Sequence, residues 1–358
     1  MKNRLSKIFS KSNIKSGAKV ITFMLVFVIL LQVLSAGSFS KLNALSYKNK
    51  FNRAYSFLTE PENTVDIAGI GSSDLYSAFV PMQLYEKYGY TSTVISSPHQ
   101  TCLKSYGFLE ELLKCQHPKV LIIETDMFYE DAPEFNPKKI KKDNTSVIKR
   151  KISAFLENFS EKRFEDMIET QFSIFTFHDK WKLTKFFSSD DGKKDTKASV
   201  SCDHGYNFND SIKPAQANNN MNPTDISEPI PEDNLNYLNK MLDLCREKGI
   251  DVILVEMPTQ HSWNYYRHNT VQAFADENKL QFIDFNLMFE ELKLDIKLDY
   301  RDGGDHLNYY GATKTTAYLS DFLNETYSDI LTDKRNDENY SFWEESNKEF
   351  KQKYNVKQ

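Results

Sequence analysis

Two short segments carry the residue types that acyl chemistry needs. The first is Gly71-Ser72-Ser73-Asp74-Leu75, at the end of an apolar run over residues 64–71. A serine at a strand-to-helix junction has its hydroxyl beside free backbone N–H groups, which stabilise a developing oxyanion. The same serine would also serve as an ordinary helix N-cap. It is not the G-x-S-x-G elbow of α/β-hydrolases, because Leu75 stands at the second glycine position. The second segment is Asp302-Gly303-Gly304-Asp305-His306-Leu307-Asn308. A carboxylate that accepts from a histidine Nδ1–H fixes the tautomer and leaves Nε2 to take a proton. Ser73 as nucleophile and His306 as base would make an acyl-transfer site, with an Asp to orient the imidazole.

These groups act together only if the fold unites segments some 230 positions apart. The patterning predicts strands over 64–71, 91–96, 119–124, 251–256 and 281–285. It predicts helices over 73–89, 103–115, 233–249, 265–278 and 309–327. Short apolar strands alternating with helices imply an α/β fold, a three-layer doubly wound parallel sheet. In such sheets ligands bind at the carboxyl ends of the strands, where residues 71–75 fall. The segment Pro258-Thr259-Gln260-His261-Ser262-Trp263 follows the fourth strand and faces the same rim, so His261 and Trp263 are candidates for substrate binding. A metal centre is not expected, since no second histidine has ligand spacing, and no cofactor motif is present.

The flanks are different in kind. Before Glu60 there is no acidic residue, while Lys2, Arg4, Lys7, Lys11, Lys15 and Lys19 crowd the first nineteen positions. An apolar run over 20–39 follows, long enough at ~1.5 Å per residue to span a ~30 Å hydrocarbon core. Leu34-Ser35-Ala36 makes a poor signal-peptidase site, so an uncleaved anchor is favoured over a signal peptide. The positive-inside rule then places residues 1–19 in the cytoplasm and the remainder outside. The expected organisation continues with a connector over 40–62 and an α/β domain over 63–328. An insertion over 127–231 interrupts that domain, and a charged segment over 329–358, a surface helix or tail, closes the chain. The first part of the insertion is helical in pattern and aromatic, with Phe172, Phe175, Phe177 and Trp181. The second is polar and asparagine-rich, reading as a partly disordered loop or lid. The net charge of −5 gives no reason to expect nucleic acid as a partner. Cys102, Cys115, Cys202 and Cys245 fit no zinc spacing and read as free.

A Gly-x-Ser after the first strand, with an Asp/His loop before the last helix, resembles the SGNH (GDSL-like) hydrolases. The run His306-Leu307-Asn308-Tyr309-Tyr310-Gly311-Ala312 is similar to a membrane-anchored, extracellular branch that includes DltD and the alginate-acetylation proteins. The resemblance covers roughly residues 60–130 and 230–328. It implies an SGNH/flavodoxin-like sheet, Ser73 as nucleophile, His306 as base, and an acyl donor with a polysaccharide-like acceptor in the cell envelope. It also implies a membrane-bound O-acyltransferase as partner. The family spaces its Asp and His as Asp-x-x-His, but position 303 here is glycine. Asp302 is favoured because a flexible turn absorbs one extra glycine, and Asp305 stays open. The family's Gly-x-Asn-Asp oxyanion block is replaced by Glu124-Thr125-Asp126. Gln100 or Thr101, after the second strand, are then the nearest donors to expect. The altered spacing and the missing block also fit a catalytically weak binding partner.

Overall fold

The computed structural model describes residues 11–36, 52–130, 172 and 202–356. Five strands form one parallel sheet: β1 (Ile67–Gly71), β2 (Ser92–Ser96), β3 (Val120–Glu124), β4 (Asp251–Glu256) and β5 (Gln281–Asp284). Their order is β2-β1-β3-β4-β5, with Gly71 opposite Ser96, Ile70 opposite Ile123 and Glu124 opposite Val255. The protein is therefore a doubly wound α/β fold with the flavodoxin-like order, as the alternating pattern predicts. Every residue of β1, β2 and β3 is buried, because helices cover both faces.

Side-chain alternation divides the core. Ala68, Ile70, Leu121, Ile123 and Leu254 face α4 (Cys102–Leu112) and α5 (Glu232–Lys248). Ile67, Val120, Ile122, Ile253 and Val255 face the opposite layer, with Leu75 of α2 (Ser73–Ala78), Leu84 of α3 (Pro81–Tyr88), and Leu319 and Leu323 of α7 (Tyr309–Tyr327). Helix α6 (Tyr265–Asn278) joins β4 to β5. A single helix is predicted over 73–89, but two form. Pro81 disfavours the helical conformation at Val80, which adopts φ −105° and ψ 96°. All four cysteines are free.

Helix α1 (Lys11–Ala36) holds a 20-residue stretch, Ser16–Ser35, with mean hydropathy 2.3, exposed along nearly all its length and buried only at Ser35. It is long and apolar enough to cross a membrane. Most of the insertion, including Phe175, Phe177 and Trp181, lies outside the described residues, as do 1–10 and most of the connector. Residues 202–231 are described and contain no helix or strand, yet they are anchored. His204 and Tyr206 are fully buried, and the His204 carbonyl accepts from Val94 N at 2.8 Å. Near the C-terminus, α8 (Ser341–Tyr354) packs Trp343 and Phe350 into a third cluster with Tyr85 and Tyr206.

Candidate functional site

Between β1 and β3 the winding of the sheet reverses, which opens a crevice at their carboxyl ends. Ser72 caps α2, its Oγ accepting from Asp74 N at 3.3 Å. Ser73 is the first helical residue, so its N–H has no acceptor within the helix. From β3, Glu124 reaches beneath this turn. Its Oε2 accepts from Ser72 N at 2.7 Å and its Oε1 from Asp126 N at 2.8 Å. Gly71 makes room for it: a Cβ there would stand 2.5 Å from the Glu124 Cβ.

The histidine comes from a tight hairpin. Tyr300 and Leu307 form an antiparallel bridge, and Arg301 N donates to His306 O at 3.1 Å. Gly303 and Gly304 turn the tip with φ of 99° and 130°, a region side chains other than glycine rarely adopt. The turn brings Asp302 and His306 together. Asp302 Oδ2 lies 2.5 Å from His306 Nδ1, and Oδ1 accepts from His306 N at 2.9 Å. Burial raises the Asp302 pKa, but the two bonds to His306, together with the nearby charges of His306 and Arg301, outweigh it and leave it below the usual carboxylate range. Asn308 locks the hairpin to α7. Its Oδ1 accepts from Gly311 N at 3.1 Å and its Nδ2 donates to Leu298 O at 2.7 Å.

The two segments meet. His306 Nε2 points at the start of α2, 3.7 Å from Asp74 Oδ1, and its ring stacks parallel to Tyr76 with centroids 6.5 Å apart. Among the described residues no hydrogen bond joins Ser73 to His306. Burial, then Asp126 and Glu124, push the Asp74 pKa well above the carboxylate range. That favours a neutral Asp74, which would not hold the imidazole as its cation. Burial likewise raises Glu124 to about 8, with Asp126 adding to the rise, and Asp126 to about 6 against the pull of Arg267. Oxygens of Asp74, Glu124 and Asp126 all lie within 4.8 Å of one another. Hard divalent cations take such donors; without one, crowding this close favours shared protons.

The other expected residues separate. Asp305 pairs with His261 rather than His306, Oδ1 to Nδ1 at 2.5 Å, both half exposed on the rim. Trp263 is buried, its Nε1 donating to Asp284 Oδ2 at 2.9 Å and its ring edge-on to Tyr129; it packs and offers no face to a ligand. Gln100 is fully buried and both its amide hydrogens are used, toward Ile95 O at 3.1 Å and Ser105 Oγ at 3.0 Å. It cannot donate to an oxyanion. Thr101 caps α4, its hydroxyl accepting from Lys104 N at 3.3 Å. Sequence reasoning missed the roles of Asp74 and Glu124 at this site. A legible trace existed: Glu124 ends the otherwise apolar run Val120–Glu124 opposite a strand ending in glycine.

No family model matches the chain, and no curated protein matches it. Among solved structures, one from Bacteroides fragilis described as a "putative acylhydrolase" is similar with a TM-score of 0.37 and 12% identity. The match covers 78% of this chain and 99% of that chain. A likeness this loose carries no argument about chemistry.

Proposed function

We propose that this chain is a membrane-anchored serine acyl-transfer enzyme. The observation that carries the reading is the Asp302–His306 pair, whose Nε2 is aimed at the turn bearing Ser73, 3.7 Å from Asp74 Oδ1. Ser73 Oγ attacks an acyl carbonyl while Nε2 takes its proton, and Asp302 stabilises the imidazolium through Nδ1–H. The Ser73 N–H faces the developing oxyanion. The leaving group departs with the proton from Nε2, giving an acyl-Ser73 ester. A second hydroxyl, activated by the same His306, then takes the acyl group. Water as acceptor makes the protein an esterase, and a sugar hydroxyl makes it an O-acyltransferase. The basic residues ahead of the apolar run support an outward-facing domain. The resemblance to DltD and the alginate-acetylation proteins supports a cell-envelope polysaccharide as acceptor and a membrane-bound O-acyltransferase as partner.

The test is covalent labelling by a fluorophosphonate, followed by acetyl-ester release and transfer assays. Labelling of the wild type, lost in Ser73→Ala and His306→Ala, supports the reading. Undiminished turnover in both variants overturns it. A second reading, a catalytically weak binding partner of an acyltransferase, is favoured by one observation: among the described residues His306 Nε2 makes no hydrogen bond to Ser73 and lies 3.7 Å from Asp74 Oδ1. It predicts a folded protein that no serine probe labels.

A further inference from the structure

The irregular segment before α5 and the start of α6 enclose a cleft of about 440 Å³. Its walls carry Asn219, Asn220, Asn222, Thr224, Asn264 and Tyr266, and no charged residue lines it. The segment is held in place. Tyr265 N donates to Asn220 O at 2.9 Å, and Asn269 Nδ2 donates to Thr224 O at 2.6 Å and Ile226 O at 2.8 Å. Asn218 Nδ2 bonds Gln260 O. Some of the amides are spent on this framework: Asn264 Oδ1 caps α6 by accepting from Arg267 N at 3.0 Å. The side chains of Asn219 and Asn222 make no hydrogen bond among the described residues.

We propose that this cleft binds a neutral carbohydrate. A primary amide presents an acceptor oxygen and two donor hydrogens, which matches the paired donors and acceptors of neighbouring sugar hydroxyls. An ionic ligand would find no counter-charge on these walls. An apolar one would strip water from amides and leave them unpaired. Tyr266 supplies a ring of the kind that packs on a sugar's C–H face. The volume lies within the range of small-molecule sites. The segment that walls the cleft is also tied by hydrogen bonds to the hairpin that holds His306. Gln260, which anchors Asn218, donates its own N–H to Gly304 O at 2.8 Å, in the hairpin tip that holds His306. That the sugar is the acyl acceptor rests on the acyl-transfer reading; the binding itself does not.

The experiment is saturation-transfer NMR with the full chain in lipid nanodiscs, since maltoside detergents would compete. Cellotetraose and chitotetraose serve as probes, with empty nanodiscs as control. Saturable transfer to at least one tetrasaccharide is expected, with Kd on the order of millimolar. Ser73→Ala should bind as the wild type does, so loss of catalysis and loss of binding are read separately. In the double variant Asn219→Ala/Asn222→Ala, with both residues exposed and their backbone contacts intact, binding should weaken by about tenfold or more. Absence of transfer to either sugar, or binding unchanged in the double variant, overturns the proposal.

Discussion

At the scale of single residues, the choice between Asp302 and Asp305 becomes a measurable difference. Both stand near His306 in sequence, but only Asp302 bonds its imidazole, while Asp305 is turned to His261. Asp302→Asn is expected to lower turnover by up to about 10⁴-fold by favouring the wrong tautomer. Asp305→Asn should leave it within a few-fold. Ester-hydrolysis rates of the two variants decide this, and equal losses would remove Asp302 from the role. The buried carboxyls predict an unusual pH response. Glu124 has its folded pKa raised from 4.5 to about 8. Between those values the unfolded chain has given up the proton that the folded chain retains. Stability therefore falls as pH rises across that window and levels off above it. Thermal melts at pH 5 and pH 8 should show a larger drop for the wild type than for Glu124→Gln. Parallel curves would mean that Glu124 titrates normally. The preference for Asp302 was legible beforehand, but the raised pKa of Glu124 was not, because sequence gives a carboxylate's type but not its burial. Gln100 failed as a guess for the same reason: its partners, Ile95 and Ser105, become partners only in the fold.

At the scale of elements, most of the positioning machinery could be read. Short apolar runs marked all five strands, three of them beside a glycine (Gly71, Gly89 and Gly249), and helix boundaries at 265–278 and 309–327 match the structure. The Pro81 break was present in sequence as a local rule outweighed by the periodicity around it. The hairpin that carries His306 was less visible, since its bridge between Tyr300 and Leu307 involves single residues. Asn308 ties that hairpin to α7 through both ends of its amide. Asn308→Ala should cost about 1–3 kcal/mol in denaturant unfolding and lower turnover further than stability alone explains. Gly71→Ala tests the other element. A methyl in the space of the Glu124 side chain should destabilise by about 1–3 kcal/mol and displace the Ser73 turn, read as loss of probe labelling in a still-folded protein. Full labelling would show that Glu124 can yield without disturbing the serine.

At the scale of the whole molecule, the sheet alone does not complete the domain. His204, from the irregular region, is fully buried against Trp343 of α8, ring centroids 4.2 Å apart, and its Nδ1 lies 3.0 Å from Glu60 Oε1. Averaged composition hid this, because two anchors, His204 and Tyr206, sit among polar neighbours that read as a loop. Trp343→Ala should cost about 3–5 kcal/mol, measured as a lower urea midpoint with the slope unchanged. The same cluster constrains biosynthesis. Glu60 leaves the ribosome soon after α1, yet its partners' cover arrives only with Trp343. At ~5–20 residues per second that is a wait of roughly 15–60 s. Through that interval Glu60 and His204 stand without the aromatic cover that buries them in the finished domain.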